Sequence, residues 1–277
     1  MRITQRPLTP RARSTEPSKP ATAAAAPSTS AQGWAPKSIR GAAPAERSGP
    51  PDGKKFCDAA LIDIKARTAR GEKVRVVFDI DDTLSESRAR TLVVAKEWDQ
   101  ANGTHHFDRL VVAQVGQNGT ETAKALNLPD PVGRDFQAHW DTEFWKGESF
   151  VHDTPIAPMV KLAKQAKAAG AEVIFLTGRV DALEVATIAQ LQRFGLKDVN
   201  AETVVSKADL SVRTGPFKTQ WLQQSEAAGN HLAFFITESR RDVAAVQQGF
   251  ASAPTVLLSS AFGGTEALRD DTPIFPK

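Results

Sequence analysis

The sequence is poor in the features that mark several large classes of protein. Among 277 residues there is one cysteine, Cys57, so nothing in the chain requires an oxidising compartment or a cysteine-ligated metal. No apolar run approaches the roughly 18 residues that a membrane-spanning helix needs. We therefore expect neither an integral membrane protein nor a disulfide-rich one, and no membrane partner.

Several catalytic signatures are also missing. The chain contains no GxSxG elbow, no GxxxxGK[ST] phosphate loop and no GxGxxG fingerprint. Their absence argues against an α/β-hydrolase, an ATP-using kinase and a dinucleotide-dependent oxidoreductase. The five histidines lack the i, i+4 spacing of a helical zinc site, and we interpret them as ordinary surface or core residues.

The first 53 residues differ in composition from the remainder. They hold nine of the 17 prolines, few large apolar residues, and eight basic residues against three acidic ones, a net charge of +5. The remainder has a net charge of −2, which gives no support to a nucleic-acid partner. Because such a stretch cannot bury enough apolar surface to offset the entropy of ordering, we expect residues 1–53 to form a disordered tail.

The tail is compatible with more than one destination. Residues 1–20 contain no apolar h-region, which argues against classical secretion, and Pro7 and Pro10 would break the helix of an organellar transit peptide. The Ser/Pro-rich composition resembles the leaders of bacterial effectors delivered into host cells by type III secretion. The alternative is a tail without a targeting role on a soluble, cytoplasmic protein.

From residue 54 onward, strand and helix patterns alternate. Helical spacing starts near Phe56 and ends at Gly71, and further helices are expected at 155–169, 183–194, 217–228 and 241–248. Short apolar runs predict buried strands at 74–80, 171–177, 203–206, 231–237 and 255–258. This alternation predicts an α/β fold with a doubly wound parallel sheet, whose functional residues lie at the carboxyl ends of the strands.

One segment interrupts the alternation. Residues 85–150 are too long for a simple crossover and are rich in aromatics, including Trp98, Trp140 and Trp145. We interpret the segment as a small, mostly helical insertion that covers the active site as a cap. The alternative is an additional packing layer without substrate contact. The catalytic core would then comprise residues 54–84 and 151–277.

Two carboxylates, Asp79 and Asp81, follow the first strand in the sequence FDIDDTL. Residues two apart on an extended backbone point to the same side, so both can address one ligand. Charged groups beside so apolar a strand need a cation or hydrogen bonds as compensation, which indicates a divalent metal. An acidic turn that caps a helix would explain Asp82 but not this pair.

The pattern resembles the haloacid dehalogenase (HAD) superfamily, whose first motif is an apolar strand followed by DxDx[TV]. The second motif, a strand that ends in Thr or Ser, matches VIFLTGR with Thr177, and the lysine of the third matches Lys218 in GPFKTQWL. The fourth, an acidic pair after the next strand, is met loosely by FFITESRRD. The TGR, FK and ESRRD segments resemble both HAD-type acid phosphatases and the 3′-phosphatase domain of phage polynucleotide kinases.

The resemblance implies a Mg²⁺-dependent phosphatase with a small phosphorylated substrate. Asp79 would be the nucleophile that forms an aspartyl-phosphate, and Asp81 the general acid and base. Thr177 and neighbouring amides, such as that of Gly178, would bind the phosphoryl oxygens, while Lys218 balances their charge. Thr83 would fix the first loop beside the substrate.

The fourth motif departs from the family pattern. The family has Asp where this chain has Glu238, and Asp242 follows four residues later. The implied Mg²⁺ ligands are Asp79, the backbone carbonyl of Asp81, and Glu238 or Asp242, where Asp242 could instead orient Lys218 or cap a helix. Arg179 could reach the substrate phosphate or only begin a helix. A catalytically weakened scaffold that acts as a binding or effector protein is the alternative function.

Overall fold

The computed structural model describes residues 49–259 and 264–276. The helices are α1 (Gly53–Ala69), α2 (Arg88–Asn102), α3 (Gly119–Ala125), α4 (Asp130–Glu143), α5 (Ala157–Ala168), α6 (Glu184–Arg193), α7 (Thr214–Ala227) and α8 (Arg240–Gly249). The strands are β1 (Val74–Phe78), β2 (Ser85–Glu86), β3 (Thr154–Pro155), β4 (Glu172–Val180), β5 (Val204–Lys207), β6 (His231–Thr237), β7 (Thr255–Leu258) and β8 (Ile274–Phe275). Short 3-10 segments span Val112–Gln114, Gly147–His152 and Asp181–Leu183.

Six strands form one parallel sheet in the order β5-β4-β1-β6-β7-β8. The chain starts in the middle at β1, fills one side through β4 and β5, and then crosses to the other side at β6. This confirms the doubly wound parallel sheet. In such sheets ligands bind outside the carboxyl ends of the strands where the direction of winding reverses, which here is the region of β1 and β6.

The sheet is buried on both faces because its strands alternate between two hydrophobic clusters. Val76 and Phe78 of β1 pack into the larger cluster, together with side chains of α1, α5 and α6. Val77 faces the opposite cluster, which includes Leu222 of α7 and Val246 of α8. This period-two alternation explains why each strand is a continuous apolar run in the sequence.

The expected elements are present, with shifted ends. β1 ends at Phe78 rather than residue 80, which places Asp79 directly beyond the strand. β4 continues past Thr177 to Val180, because after an irregularity in register Val180 pairs with Lys207 of β5. The sequence patterns did not indicate β8, which extends the sheet beyond β7.

The folded part starts slightly before the expected boundary at residue 54. The Asp52 side chain caps α1 by accepting hydrogen bonds from the amides of Lys54 and Lys55. The Asp52 backbone forms an isolated parallel β-bridge with Ile274. Asp52 and Gly53 therefore belong to the fold, whereas composition assigned them to the tail. The prediction of disorder and the possible targeting role otherwise concern residues 1–48, which lie outside the described residues. No described helix is both long enough and apolar enough to span a membrane.

The segment between β2 and β3, which we call the insert, is mostly helical as expected. It comprises α2, α3, α4 and two 3-10 segments, and it has a hydrophobic cluster of its own around Trp98, Phe136 and Trp140. Trp140 also donates a hydrogen bond from Nε1 to Thr91 Oγ1 at 3.0 Å, which satisfies its buried N–H. The insert leaves and rejoins the core through β2 and β3, which pair antiparallel.

Candidate active site

Asp79 lies at the carboxyl end of β1 and is 6% exposed. Its Oδ1 accepts a hydrogen bond from the Ile80 amide and lies 2.8 Å from Lys218 Nζ, and its Oδ2 accepts one from Thr237 Oγ1 at 2.7 Å. Burial raises the pKa of the Asp79 carboxyl, while the ammonium of Lys218 opposes that shift. Three donors therefore fix the orientation of this carboxylate at the centre of the sheet edge.

Lys218 lies on the first turns of α7 and is 1% exposed. Its Nζ bridges two carboxylates, at 2.8 Å from Asp79 Oδ1 and 2.6 Å from Asp242 Oδ2 on the first turn of α8. Burial alone would lower the pKa of Lys218, but Asp242 and Asp79 raise it above its usual value. Asp242 thus makes the contact expected of a residue that orients Lys218. We call Asp79, Lys218, Thr237 and Asp242 the core cluster.

Asp81 lies in different surroundings. Arg179 binds it with two parallel hydrogen bonds, Nε to Oδ2 at 2.9 Å and Nη2 to Oδ1 at 2.8 Å, and Arg90 Nη2 donates to Oδ1 at 3.1 Å. Burial would raise the pKa of Asp81, but the two guanidinium groups hold it well below its usual range. Asp81 is therefore a fixed carboxylate in this arrangement.

The two arginines are themselves buried and shared with a second carboxylate. Arg90 comes from α2 of the insert, is fully buried, and also binds Asp153, near the point where the chain returns to the core. Gln190 of α6 donates to Asp153 Oδ2 at 2.6 Å and accepts from Arg179 Nη1 at 2.7 Å. Ser85 Oγ donates to Asp153 at 2.7 Å. We call these six residues (Asp81, Ser85, Arg90, Asp153, Arg179 and Gln190) the bridging cluster.

The two threonines predicted to lie at the site are buried behind its surface. Thr83 is fully buried, and its Oγ1 accepts a hydrogen bond from the Glu238 amide at 2.9 Å, which ties the loop after β1 to the end of β6. Thr177 is 1% exposed, and its Oγ1 accepts from the Arg179 amide at 3.1 Å. Gly178 packs closely, since a Cβ there would meet Thr214 at 3.0 Å.

A cavity of about 510 Å³ opens at the carboxyl edge of the sheet. Seven of the predicted site residues line it: Asp79, Asp81, Gly178, Arg179, Lys218, Glu238 and Asp242. Trp145 of the insert and Lys207 of β5 line it as well. The cavity therefore brings together residues from the carboxyl ends of four strands, and its wall includes the insert.

Sequence reasoning missed six residues that shape this region: Ser85, Arg90, Asp153, Gln190, Lys207 and Thr237. Four of them belong to the bridging cluster and pair across 37 to 105 positions of sequence, which no local pattern encodes. Lys207 was detectable, because it is a charged residue directly after the strand expected at 203–206, at the functional edge of the sheet.

The donor atoms around Asp79 suit a hard cation. Carboxylates of Asp79, Glu238 and Asp242 line the cavity, together with Asp81, whose backbone carbonyl is a further oxygen donor. Within residues 49–259 and 264–276, no three His, Cys, Asp or Glu side chains form a metal cluster. Mg²⁺, however, is commonly held by one or two carboxylates plus substrate phosphate and water. The residues present fit that pattern.

Part of the chain matches a known protein family. Residues 132–258 match the family model for acid phosphatases of HAD superfamily subfamily IIIB. The matched stretch includes Thr177, Lys218, Glu238 and Asp242 and leaves out β1 with its two aspartates. No curated protein matches the chain.

Solved structures with the same fold are distant in sequence. A protein from Clostridium difficile described as a phosphatase aligns with a TM-score of 0.54 at 11% identity, over 74% of this chain and 94% of that chain. A haloacid dehalogenase-like hydrolase from Streptococcus pneumoniae gives 0.51 at 11% identity, over 74% and 93%. A protein from Haemophilus somnus described as a phosphoglycolate phosphatase gives 0.50 at 15%, over 74% and 93%. At these identities the likeness concerns the fold.

Proposed function

We propose that this chain, which belongs to the haloacid dehalogenase superfamily and is a hydrolase of phosphate esters, cleaves phosphomonoesters in two steps through a covalent phosphate on Asp79. The observation that carries the proposal is the placement of Asp79 on the cavity wall, fixed by Lys218, Thr237 and the Ile80 amide. A nucleophile fixed in orientation needs little reorganisation before attack.

In the first step a carboxylate oxygen of Asp79 attacks phosphorus, and the bond from phosphorus to the ester oxygen breaks. The electron pair of that bond leaves with the ester oxygen, which takes up a proton. In the second step water attacks the phosphorus of the aspartyl-phosphate, its proton is removed, and the Asp79 carboxylate is regenerated with release of phosphate. Lys218 stays beside Asp79 throughout and balances negative charge as it develops.

Mg²⁺ would be held by Asp79, the backbone carbonyl of Asp81, and Glu238. When bound, the ion supplies charge stabilisation to the phosphoryl oxygens. We propose Glu238 rather than Asp242 as the second carboxylate ligand, because Asp242 Oδ2 already lies 2.6 Å from Lys218 Nζ. Asp242 then serves to position the ammonium group.

Asp81 is our proposed acid and base, but its two arginines oppose proton transfer. A carboxyl group whose pKa is held well below its usual range does not donate a proton at neutral pH. A phosphoryl dianion that enters the cavity competes with Asp81 for Arg179, because guanidinium binds phosphate in the same bidentate manner. We propose that Arg179 turns to the phosphoryl group and that Asp81, then held by Arg90 at Oδ1 alone, exchanges protons with the leaving oxygen and the water through Oδ2.

The insert and the charge of the folded part limit the substrate. Trp145 reaches the cavity wall, which favours the role of a cap over that of a remote packing layer. The net charge of −2 outside the first 53 residues favours a small phosphorylated metabolite or nucleotide over nucleic acid. A targeting role of the N-terminal tail stays a prediction from composition.

The test is release of phosphate from 4-nitrophenyl phosphate by the full chain, with Mg²⁺ and with a chelator. Asp79→Asn should lower the rate at least about a thousandfold, while Asp58→Asn, a matched change at an exposed position on α1, should leave it within about twofold. Thermal unfolding of both variants verifies that they fold. Activity that survives chelation, or that persists in Asp79→Asn, contradicts the mechanism. A folded protein that neither turns over nor gains thermal stability from Mg²⁺ favours the binding scaffold.

A further inference from the structure

Lys207 is a buried cation that the proposed mechanism does not use. It closes β5, pairs with Val180 of β4, is 6% exposed, and lines the cavity that contains Asp79. Within residues 49–259 and 264–276 its ammonium has neither a hydrogen bond nor an ion pair, in contrast to Lys218, which has two carboxylates. Its Nζ is not one of the fully enclosed polar atoms without a partner, so it stays accessible to a ligand in the cavity.

The surroundings of Lys207 do not neutralise it. Burial lowers the pKa of its ammonium, with Asp209 and Asp242 acting in the opposite direction and Lys218 in the same one. The carboxylate of Asp209 already accepts two hydrogen bonds from Ser211. The cavity therefore presents a positive charge that an anionic group could bind with little competition.

The cavity that Lys207 lines also has apolar side chains in its wall. Trp145 comes from the insert, Leu183 follows β4, and Leu210 follows β5 and is 77% exposed. Large apolar side chains that line a cleft beside one charged group are typical of a pocket that takes an organic ligand with a single polar anchor. The cavity thus has a phosphoryl end at the core cluster and an apolar end with one cation.

Sheet geometry separates the two ends. β5 lies two strands away from β1, which corresponds to roughly 10 Å at the usual strand spacing. The phosphoryl group that Asp79 attacks lies over β1 and β6, where Lys218 already supplies the cation. A phosphoryl group at that position leaves the apolar side chains that follow β4 and β5 to contact the organic part of the substrate.

We infer that Lys207 binds a carboxylate on the organic part of the substrate. The substrate class is then a phosphomonoester whose leaving group has an apolar, ring-sized body and a carboxylate at its far end. This inference rests on the proposed function, because it takes the position of the phosphoryl group from Asp79.

Binding of non-hydrolysable phosphonates tests the inference without turnover. We would measure Kd values of benzylphosphonate and of its meta- and para-carboxylated forms by calorimetry with the full chain and Mg²⁺. We expect at least one carboxylated form to bind about tenfold more tightly than benzylphosphonate, since the carboxylate gains a charge-assisted hydrogen bond. Lys207→Met keeps the length of the side chain and should remove this preference, with the Kd of benzylphosphonate changed less than about twofold.

Lys161→Met, at an exposed position on α5, is the matched control and should keep the preference. If Lys207→Met raised the Kd of all three ligands by the same factor, the lysine would bind the phosphoryl group. That result would overturn the inference. The inference would also be overturned if the unmodified chain did not prefer a carboxylated form over benzylphosphonate, or if Lys207→Met kept that preference. Failure of the proposed function shows separately, as absence of phosphate release from 4-nitrophenyl phosphate.

Discussion

The two aspartates that follow β1 are two residues apart, yet they belong to regions with different construction. Asp79 is part of the core cluster, whose members all come from the sheet and from α7 and α8. Asp81 is part of the bridging cluster, in which Arg90 of the insert and Arg179 of the core hold the same carboxylate. We propose the core cluster for the reaction at phosphorus, whereas the bridging cluster also attaches the insert to the core.

The difference shows how one short motif can serve two purposes. In the core cluster one ammonium is shared by two carboxylates, so negative charge is in excess and a cation is favoured. In the bridging cluster two guanidinium groups are shared by Asp81 and Asp153, so the charges balance without a further ion. Removal of a residue should therefore affect chemistry in the first cluster and the attachment of the insert in the second.

The largest effect should come from Lys218→Met. The change removes the cation between Asp79 and Asp242, and we expect kcat/KM for 4-nitrophenyl phosphate to fall at least about a thousandfold. Two buried carboxylates then lack their partner, so the free energy of unfolding should also fall, by about 3 to 5 kcal/mol. Steady-state kinetics and urea unfolding measure the two effects. Lys218→Met combined with Asp242→Asn should restore part of the stability and none of the activity, and recovery of activity would contradict the assigned roles.

Arg90→Met should have its main effect on stability. It leaves the buried carboxylate of Asp153 without its strongest partner and removes stacking against Phe144, whose ring centroid lies 4.1 Å from the guanidinium carbon. We expect a loss of about 3 to 5 kcal/mol in urea unfolding, while Arg134→Met, at an exposed position on α4, should cost less than about 1 kcal/mol. A loss no larger than that of the control would show that the bridging cluster does not hold the insert.

Cys57 distinguishes local loosening of the insert from unfolding of the core. The thiol is fully buried in the sheet's larger hydrophobic cluster, and burial raises its pKa to about 12. Since the thiolate is the reactive form, a thiol reagent at pH 8 should modify Cys57 only after the core opens. If Arg90 acts on the insert alone, the rate of modification under native conditions stays unchanged in Arg90→Met. A parallel rise in that rate would mean that the insert and the core unfold together.

Ser85→Ala should have the smallest effect. Its hydroxyl donates to Asp153 and accepts from Gln190, and both partners keep other hydrogen bonds after the change. We expect a loss of about 1 kcal/mol in urea unfolding and a change in kcat/KM of less than about threefold. Ser149→Ala, which removes a half-buried hydroxyl elsewhere in the insert, is the control. A large fall in activity with little change in stability would place Ser85 in the chemistry instead.

The sequence was sufficient for most of the fold and for Asp79 and Lys218 of the core cluster because both follow local rules. Runs such as VRVVF and HLAFFIT are buried on both faces, so their composition alone identifies them as strands of a parallel sheet. Asp79 and Lys218 then meet because strand ends and helix starts gather at one edge. The bridging cluster follows no such rule, because Arg90 lies in an insert that matched no motif and its partner Asp153 is 63 positions away.

The sequence was less informative about side-chain environments. Asp81 was expected to be the general acid and base, and no arginine partner was expected for it, yet Arg179 and Arg90 of the insert both hold it. Thr83 was expected beside the substrate, yet it is fully buried under the loop after β6. Both differences depend on how the insert and the β6 loop pack against β1, and this packing is a tertiary property that strand and helix periodicity do not contain.

The two ends of the insert lie side by side in the β2–β3 pair, and this has a consequence for evolution and for engineering. Because Ser85 and Pro155 are paired neighbours, the insert begins and ends at almost the same place, and another module could be transplanted there without altering the sheet. Such a transplant would have to supply its own guanidinium for Asp81 and its own counterpart of Asp153, since only Asp81 and Arg179 of these ion pairs remain on the recipient. Compatibility between donor and recipient would then depend on this one set of ion pairs. Substrate preference could change while the hydrolytic residues of the core are retained.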